Sequence, residues 1–199
     1  GQYGYLFNNS IAGNVTIADD AGYGGGYSTV IRNNIITGNS SFSINGFNTF
    51  QEGDAAAAAN IYNGNVTFNG NSAASLYISH IDALQCSGNL TITRSAAGFT
   101  QAFNAGAAIN GNFSYTNNTT GGTFFGNPAN KTSIGGTLTI SANYTSPNEF
   151  VLYHMVNQTA GGLIDVQNSM GFDVRIDTLK LSSFSITGYR GGAYGRLWN

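Results

Sequence analysis

The chain has 199 residues, with Lys+Arg 7, Asp+Glu 9 and a formal net charge of −2. Charged residues make up 8%, against about 25% in an average soluble domain, and seven cations cannot build the phosphate-neutralising stripe of a nucleic-acid binder. Glycine (28) and asparagine (26) are poor helix formers and exclude a helical bundle, while 41% hydrophobic and 13% aromatic content without a charge excess excludes ordinary disorder.

The length suits a single domain over residues 1–199. The one cysteine, Cys86, cannot form an internal disulfide. No run of about 18 apolar residues exists, so no membrane-spanning segment is expected. The opening Gly1-Gln2-Tyr3-Gly4 has no Met, basic or apolar leader pattern, and the closing Ala193 to Asn199 stops in mid-pattern. Both ends suggest a fragment of a much longer repetitive chain.

A five-residue frame recurs along the whole chain. It begins as Gly13-Asn14-Val15-Thr16-Ile17 and is followed by apolar runs at Tyr27 to Ile31 and Ile35-Ile36. The next copy is read at Ser40-Ser41-Phe42-Ser43-Ile44. Gly64-Asn65-Val66-Thr67-Phe68 follows, then runs at Leu76-Tyr77-Ile78 and Ile81 to Cys86. The frame returns as Gly88-Asn89-Leu90-Thr91-Ile92, Gly111-Asn112-Phe113-Ser114-Tyr115 and Gly136-Thr137-Leu138-Thr139-Ile140, the last followed by Phe150-Val151-Leu152-Tyr153. Gly162-Leu163-Ile164-Asp165-Val166 precedes runs at Phe172 to Ile176 and Leu179 to Leu181, and Ser182-Ser183-Phe184-Ser185-Ile186 closes the series. Read this way the steps are 27, 24, 24, 23, 25, 26 and 20 residues, about 24 each.

Positions three and five of the frame are apolar and position four is Ser or Thr, with Asp165 the exception. This period-two alternation is a strand with one buried face. Three short strands per repeat, separated by Gly/Asn/Ser/Thr corners, make one coil of a solenoid, and only a neighbouring coil can complete its core. The prediction is an all-β, right-handed parallel β-helix of about eight three-strand coils, its hand taken from the general preference of parallel crossovers. Val15, Phe42, Val66, Leu90, Phe113, Leu138, Ile164 and Phe184 should form one inward stack. Ile17, Ile44, Phe68, Ile92, Tyr115, Ile140, Val166 and Ile186 should lie beside it. Corners should use Gly and Asn because both tolerate φ > 0. Asn14, Asn65, Asn89 and Asn112 should stack as a hydrogen-bonded ladder, with the Ser/Thr column facing outward.

The candidate chemistry is sparse. Gly22-Tyr23-Gly24-Gly25-Gly26-Tyr27 lacks the Lys and helix of a phosphate loop and reads as an elongated corner. Asp19-Asp20 reads as a surface turn. A β-helix polysaccharide lyase or hydrolase needs clustered carboxylates with Arg, Lys or His on neighbouring coils. The nine acids rarely share a column, and the one local mix is Asp165, Asp173, Arg175, Asp177 and Lys180, read as an exposed ion pair on a coil face. His80 and His154 lie about three coils apart, too far for a shared metal. Cys86 reads as a small core residue. Asn-x-Ser/Thr triplets at Asn14, Asn65, Asn89, Asn112, Asn130, Asn143 and Asn157 come mostly from the repeat itself. Outward Thr columns suggest an ice- or crystal-binding face, but the varying coil length and mixed second position argue against lattice matching. No catalytic, cofactor-binding or metal residue is assigned, and no cofactor is expected.

The segments Ile61-Tyr62-Asn63-Gly64-Asn65-Val66-Thr67-Phe68-Asn69-Gly70 and Ala108-Ile109-Asn110-Gly111-Asn112-Phe113-Ser114-Tyr115 resemble the repeats of very large secreted surface proteins of the Bacteroidota. Those are gliding-motility and attachment adhesins, typically exported by the type IX system. The resemblance covers about residues 5 to 190 and implies a non-enzymatic, structural or adhesive filament segment at the cell surface. Its expected partners are neighbouring coils of the same chain, with surface polysaccharide or other cell-surface proteins beyond it. A polysaccharide-active β-helix (lyase or phage tailspike depolymerase) and a carbohydrate-binding module are the alternatives. Aromatics aligned in a row, with Tyr3, Tyr5, Tyr23, Tyr27, Tyr189 and Tyr194 as candidates, would mark the second.

Overall fold

A computed structural model describes residues 3–18, 28–46, 49–53, 59–175, 179–188 and 195–198. They form an all-β solenoid of about seven turns, built from three parallel sheets that run along its axis. The first sheet stacks Val15–Ala18, Ser40–Ile44, Val66–Gly70, Leu90–Arg94 and Phe113–Asn117 on the first part of Leu138–Leu152, followed by Gly162–Arg175 and Leu181–Thr187. The second stacks Tyr3–Phe7, Ser28–Arg32, Thr49–Glu52, Ser75–Ile78, Thr100–Ala102 and Thr123–Phe125. It continues through the ends of the two long strands to Gly195–Trp198. The third has seven strands, from Ser10–Ile11 to Met155–Asn157.

The first-sheet strands alternate as expected, with Ser40–Ile44, Val66–Gly70, Leu90–Arg94 and Phe113–Asn117 each burying every second residue. Val66 pairs with Leu90, and Leu90 with Phe113, all three buried. Thirteen of the sixteen expected inward residues are buried, while Ile17 and Ile186 are half-buried and Phe184 is exposed.

The register differs from the sequence frame in two coils. Phe42 pairs with Ile17 and Phe68 rather than with Val15 and Val66, whose partner is Ser40. Ile164 pairs with Ile140, and Val166 with Ala142. Both shifts are of two residues, which leave inside and outside unchanged. The second coil's true frame is Gly38-Asn39-Ser40-Ser41-Phe42. Successive coils from Thr16 through Ser41, Thr67, Thr91, Ser114 and Thr139 to Leu163 then measure 25, 26, 24, 23, 25 and 24 residues. The Ile164 to Phe184 step is 20.

From Gly38 to Gly136 the frame glycines are needed for close approach rather than for φ > 0. A Cβ on Gly88 would lie 2.6 Å from the Gly64 carbonyl oxygen, and one on Gly111 as close to that of Gly88. Positive φ recurs at the corner after the second sheet, where Asn8, Asn33, Gly53, Ser79, Phe103 and Gly126 all lie between 52° and 78°. One left-handed residue there turns the chain toward the third sheet in coil after coil.

Candidate functional site

The outer surface of the first sheet is a neutral, hydroxyl-bearing face. Its first outward column is Thr16, Ser41, Thr67, Thr91, Ser114 and Thr139, paired in register. Two residues along each strand, a second column holds Ala18, Ser43, Asn69, Thr93, Thr116 and Ser141. Ten of these twelve positions carry hydroxyls and none carries a charge. None of the ten hydroxyls hydrogen-bonds to another described protein atom. Neighbours along the axis are one strand spacing apart, about 4.8 Å, and the columns about 7 Å apart. The face ends at the next coil, where Leu163 and Asp165 follow Thr139 and Ser141.

A column of asparagines borders this face and fixes its register. The Asn39 N–H donates to Asn14 Oδ1 at 2.8 Å, that of Asn65 to Asn39 Oδ1 at 2.9 Å, and that of Asn89 to Asn65 Oδ1 at 2.9 Å. Asn112 donates to Asn89 at 2.8 Å and Thr137 to Asn112 at 2.9 Å. Each Asn uses its side-chain carbonyl, and no described protein atom accepts from its NH₂ group. Asn39 extends the expected ladder, because Gly38-Asn39 is the true frame. Between the ladder and the hydroxyls lies a groove of about 280 Å³ bordered by Asn14, Thr16, Asn39, Ser41, Asn65 and Thr67.

A second, buried asparagine series lies on the opposite side of the core. Asn34 Oδ1 accepts from Asn9 N–H and Nδ2, and Asn60 Oδ1 accepts from Asn34 N–H and Nδ2, all at 3.0 Å. The series ends on Glu52, whose Oε1 accepts from Asn60 Nδ2 at 2.7 Å and whose Oε2 accepts from the Ser79 N–H at 2.7 Å. Glu52 occupies an inward position paired with Ile31 and is completely buried. Burial pushes its carboxyl up to about 7, against the lowering effect of the Asn60 and Ser79 hydrogen bonds. Neighbouring Tyr62 is raised well above the ordinary phenol range, first by burial and then by Glu52's charge. In the sequence Glu52 is one of nine scattered acids. Its inward parity, one alternation after Phe50, was the signal available.

Arg94 is a buried cation, 1% exposed in the inward position between Gly70 and Asn117. Its Nη2 donates to the Ser72 and Ala96 carbonyls at 3.3 Å, while Nε and Nη1 have no partner. Burial lowers its pKa. Gly70 and Gly98 leave it room, since a Cβ on either would run into the guanidinium.

The predicted charged mix is dispersed. Asp165 accepts from Gln167 Nε2 at 3.1 Å, and Lys180 Nζ donates to the Gln158 carbonyl at 2.8 Å. Asp177 lies outside the described residues, as do Asp19-Asp20, the Gly22–Tyr27 run, Tyr189 and Tyr194. Asp173 and Arg175 do share a face. Asp173 is buried and accepts from Tyr153 Oη and Trp198 Nε1, both at 2.7 Å, with Arg196 Nη1 at 3.9 Å. Arg175 lies over the Tyr153 and Trp198 rings. His80 and His154 follow second-sheet strands three coils apart. No group of three or more metal-competent side chains comes together among the described residues. Cys86 is a buried core residue whose thiol burial pushes up to about 11. Asn157 is fully buried, so its triplet is inaccessible.

Aromatics do align in a row at positions not among the candidates, of which Tyr23, Tyr27, Tyr189 and Tyr194 lie outside the described residues. Tyr77, Phe99 and Phe124 stack along the second sheet with centroids 6.2 and 5.1 Å apart, half-buried and packed on one another. Tyr5 is exposed and stacks on Phe7. No helix among the described residues is long and apolar enough to cross a membrane. Compared with protein-family profiles, curated proteins and solved structures, the chain matches none.

Proposed function

We propose that the chain is a structural and adhesive segment of an extracellular bacterial surface protein, of the Bacteroidota attachment or gliding type exported by the type IX route. It works without catalysis, as a stiff spacer that also presents a repeating polar surface. The observation that supports this reading is the keying of coil to coil: from Asn14 to Thr137, one side-chain carbonyl per coil receives the next coil's backbone N–H. Such a ladder resists slippage along the axis and repeats the same outward groups at a constant spacing. Its partners are neighbouring coils of its own chain, with surface polysaccharide or cell-surface protein outside it.

Antibodies against the purified chain test the placement. They should label intact cells of the source bacterium, external protease should remove the label, and deletion of the gene should reduce attachment or gliding. A signal confined to the cell interior overturns the reading. Release of new reducing ends from a polysaccharide by the purified chain replaces it with the lyase or hydrolase alternative.

A further inference from the structure

Asp173 is buried on the outer side of the second sheet, and side chains from the coils before and after it take both of its oxygens. Oδ2 accepts from the Tyr153 hydroxyl and Oδ1 from the Trp198 indole N–H, each at 2.7 Å. A buried carboxylate is costly, and here it fixes a surface ring, because Trp198 is held by its N–H while 44% exposed. Arg175 lies between the same two rings, 5.1 Å from the Tyr153 centroid and 5.4 Å from that of Trp198. Its guanidinium makes no hydrogen bond or ion pair with a described protein atom, and its Nε is buried without a partner. Arg196, 55% exposed, lies 3.9 Å from the Asp173 carboxylate and 6.0 Å from the Trp198 ring. Two cations therefore face one carboxylate whose lone pairs are already engaged. A guanidinium stacked on rings keeps its in-plane donors, which match a carboxylate in fork geometry. The exposed indole beside them is a flat apolar surface that suits the C–H side of a sugar ring.

We propose that this cluster binds acidic polysaccharide, with a uronate carboxylate on Arg175 and Arg196 and its sugar ring on Trp198. The inference deepens the adhesive reading and rests on it, because it names the class of polymer the segment grips. The cluster lies at one end of an outward column in which Tyr77, Gln101, Phe124, Val151, Asp173 and Arg196 pair in register. The stacked row of Tyr77, Phe99 and Phe124 belongs to the same outer face. Five strand steps of about 4.8 Å carry the polymer about 24 Å along these rings, the length of several consecutive sugars. A neutral sugar would leave the Arg175 donors without an anion. An acidic peptide supplies the charge but no flat C–H face for the indole.

Trp198 is the chain's one tryptophan, so its emission reports the site directly. Titration of the full chain with polygalacturonate should change that emission saturably, and added salt should weaken the effect. Hydroxyethylcellulose, which is neutral, and polyglutamate, which is acidic without a sugar ring, should leave it unchanged. Arg175→Gln should weaken binding about tenfold or more. Arg175→Lys should restore only part of the loss, because an ammonium lacks the planar fork. Trp198→Ala, read by calorimetry, should lose binding as well, and Gln85→Ala on the third sheet should not change it. Circular dichroism and thermal melts establish that each variant folds, and Arg196→Gln, at an exposed position, serves if the Arg175 variants do not. The proposal falls if polygalacturonate leaves the emission unchanged, if polyglutamate or hydroxyethylcellulose binds equally well, or if the folded arginine variants bind as tightly as the parent. Surface labelling of cells together with absent polygalacturonate binding would remove this inference alone. Interior location would remove the adhesive reading itself.

Discussion

Glu52 Oε2 accepts the Ser79 backbone N–H at 2.7 Å inside the core, one coil away from its own strand. Glu52 is completely buried. Its carboxyl therefore holds its proton up to about pH 7, where an unfolded glutamate releases it near 4.5. Below 4.5 both states are protonated and the group is neutral to stability. Between 4.5 and 7 the unfolded chain ionises while the fold retains the proton, so stability falls as pH rises. Above 7 the loss is complete, about 3 kcal/mol from the shift alone. Glu52→Gln should remove this slope. Urea melts of both proteins from pH 4 to 8 check it, and parallel profiles would refute the assignment.

Arg94 and Gly70 should be coupled. Gly70→Ala puts a methyl group where the guanidinium lies and should cost about 1–3 kcal/mol, as overpacking does. In an Arg94→Met background the same alanine should cost much less. Arg94→Met alone should be neutral or stabilising, because it removes a buried charge with two unpartnered nitrogens. A double-mutant cycle by chemical denaturation reads the coupling. Strict additivity would show that the two groups do not share the space.

The fold was legible because the alternation of Val66-Thr67-Phe68 and its copies specifies which side is buried, and the about 24-residue period specifies stacking. Register was less legible for a physical reason. Apolar alternation is unchanged by a slip of two, so only the corner residues distinguish one register from the next. Where an inward site holds Ser40, or Gly162 with no side chain, the apolar pattern slides onto the following pair, and Gly38-Asn39 was passed over. The outward Ser/Thr column was readable, but its continuity depended on that register. Glu52 and Arg94 were hidden because a single charged letter does not reveal whether its neighbours along the axis leave room for it, as Gly70 and Gly98 do for Arg94.

The frame glycines make a sharper demand than the asparagines beside them. Gly88→Ala would drive a methyl into the Gly64 carbonyl, a backbone atom that cannot step aside. The coils must separate there, and a loss of about 3 kcal/mol or more is expected. Asn89→Ala removes one exposed acceptor from the Asn112 N–H and should cost about 1 kcal/mol. Asn34→Ala should cost more than Asn89→Ala, because it strips a fully buried side chain bonded to Leu6, Arg32 and Asn60. Thermal melts of the three variants test the order Gly88, Asn34, Asn89, and a larger effect at Asn89 than at Asn34 would reverse the assignment of buried and exposed ladders.

Asp173 ties the strand Gly195–Trp198 to the body of the second sheet through the indole of Trp198, the chain's one tryptophan. The same carboxylate receives the Tyr153 hydroxyl, so both of its oxygens are engaged. Asp173→Leu removes both charge-assisted bonds, each worth about 1.5–3 kcal/mol, and leaves two donors facing a methyl group. Asp173→Asn keeps a single acceptor oxygen and can serve only one of the two. Tryptophan emission should therefore shift red and become more open to acrylamide quenching in the order parent, Asn, Leu. The core strands should meanwhile melt almost unchanged, because Val174 and Leu152 remain packed beneath. Identical emission in all three proteins would show that Trp198 is held by its ring contacts with Arg175 and Arg196 rather than by the carboxylate.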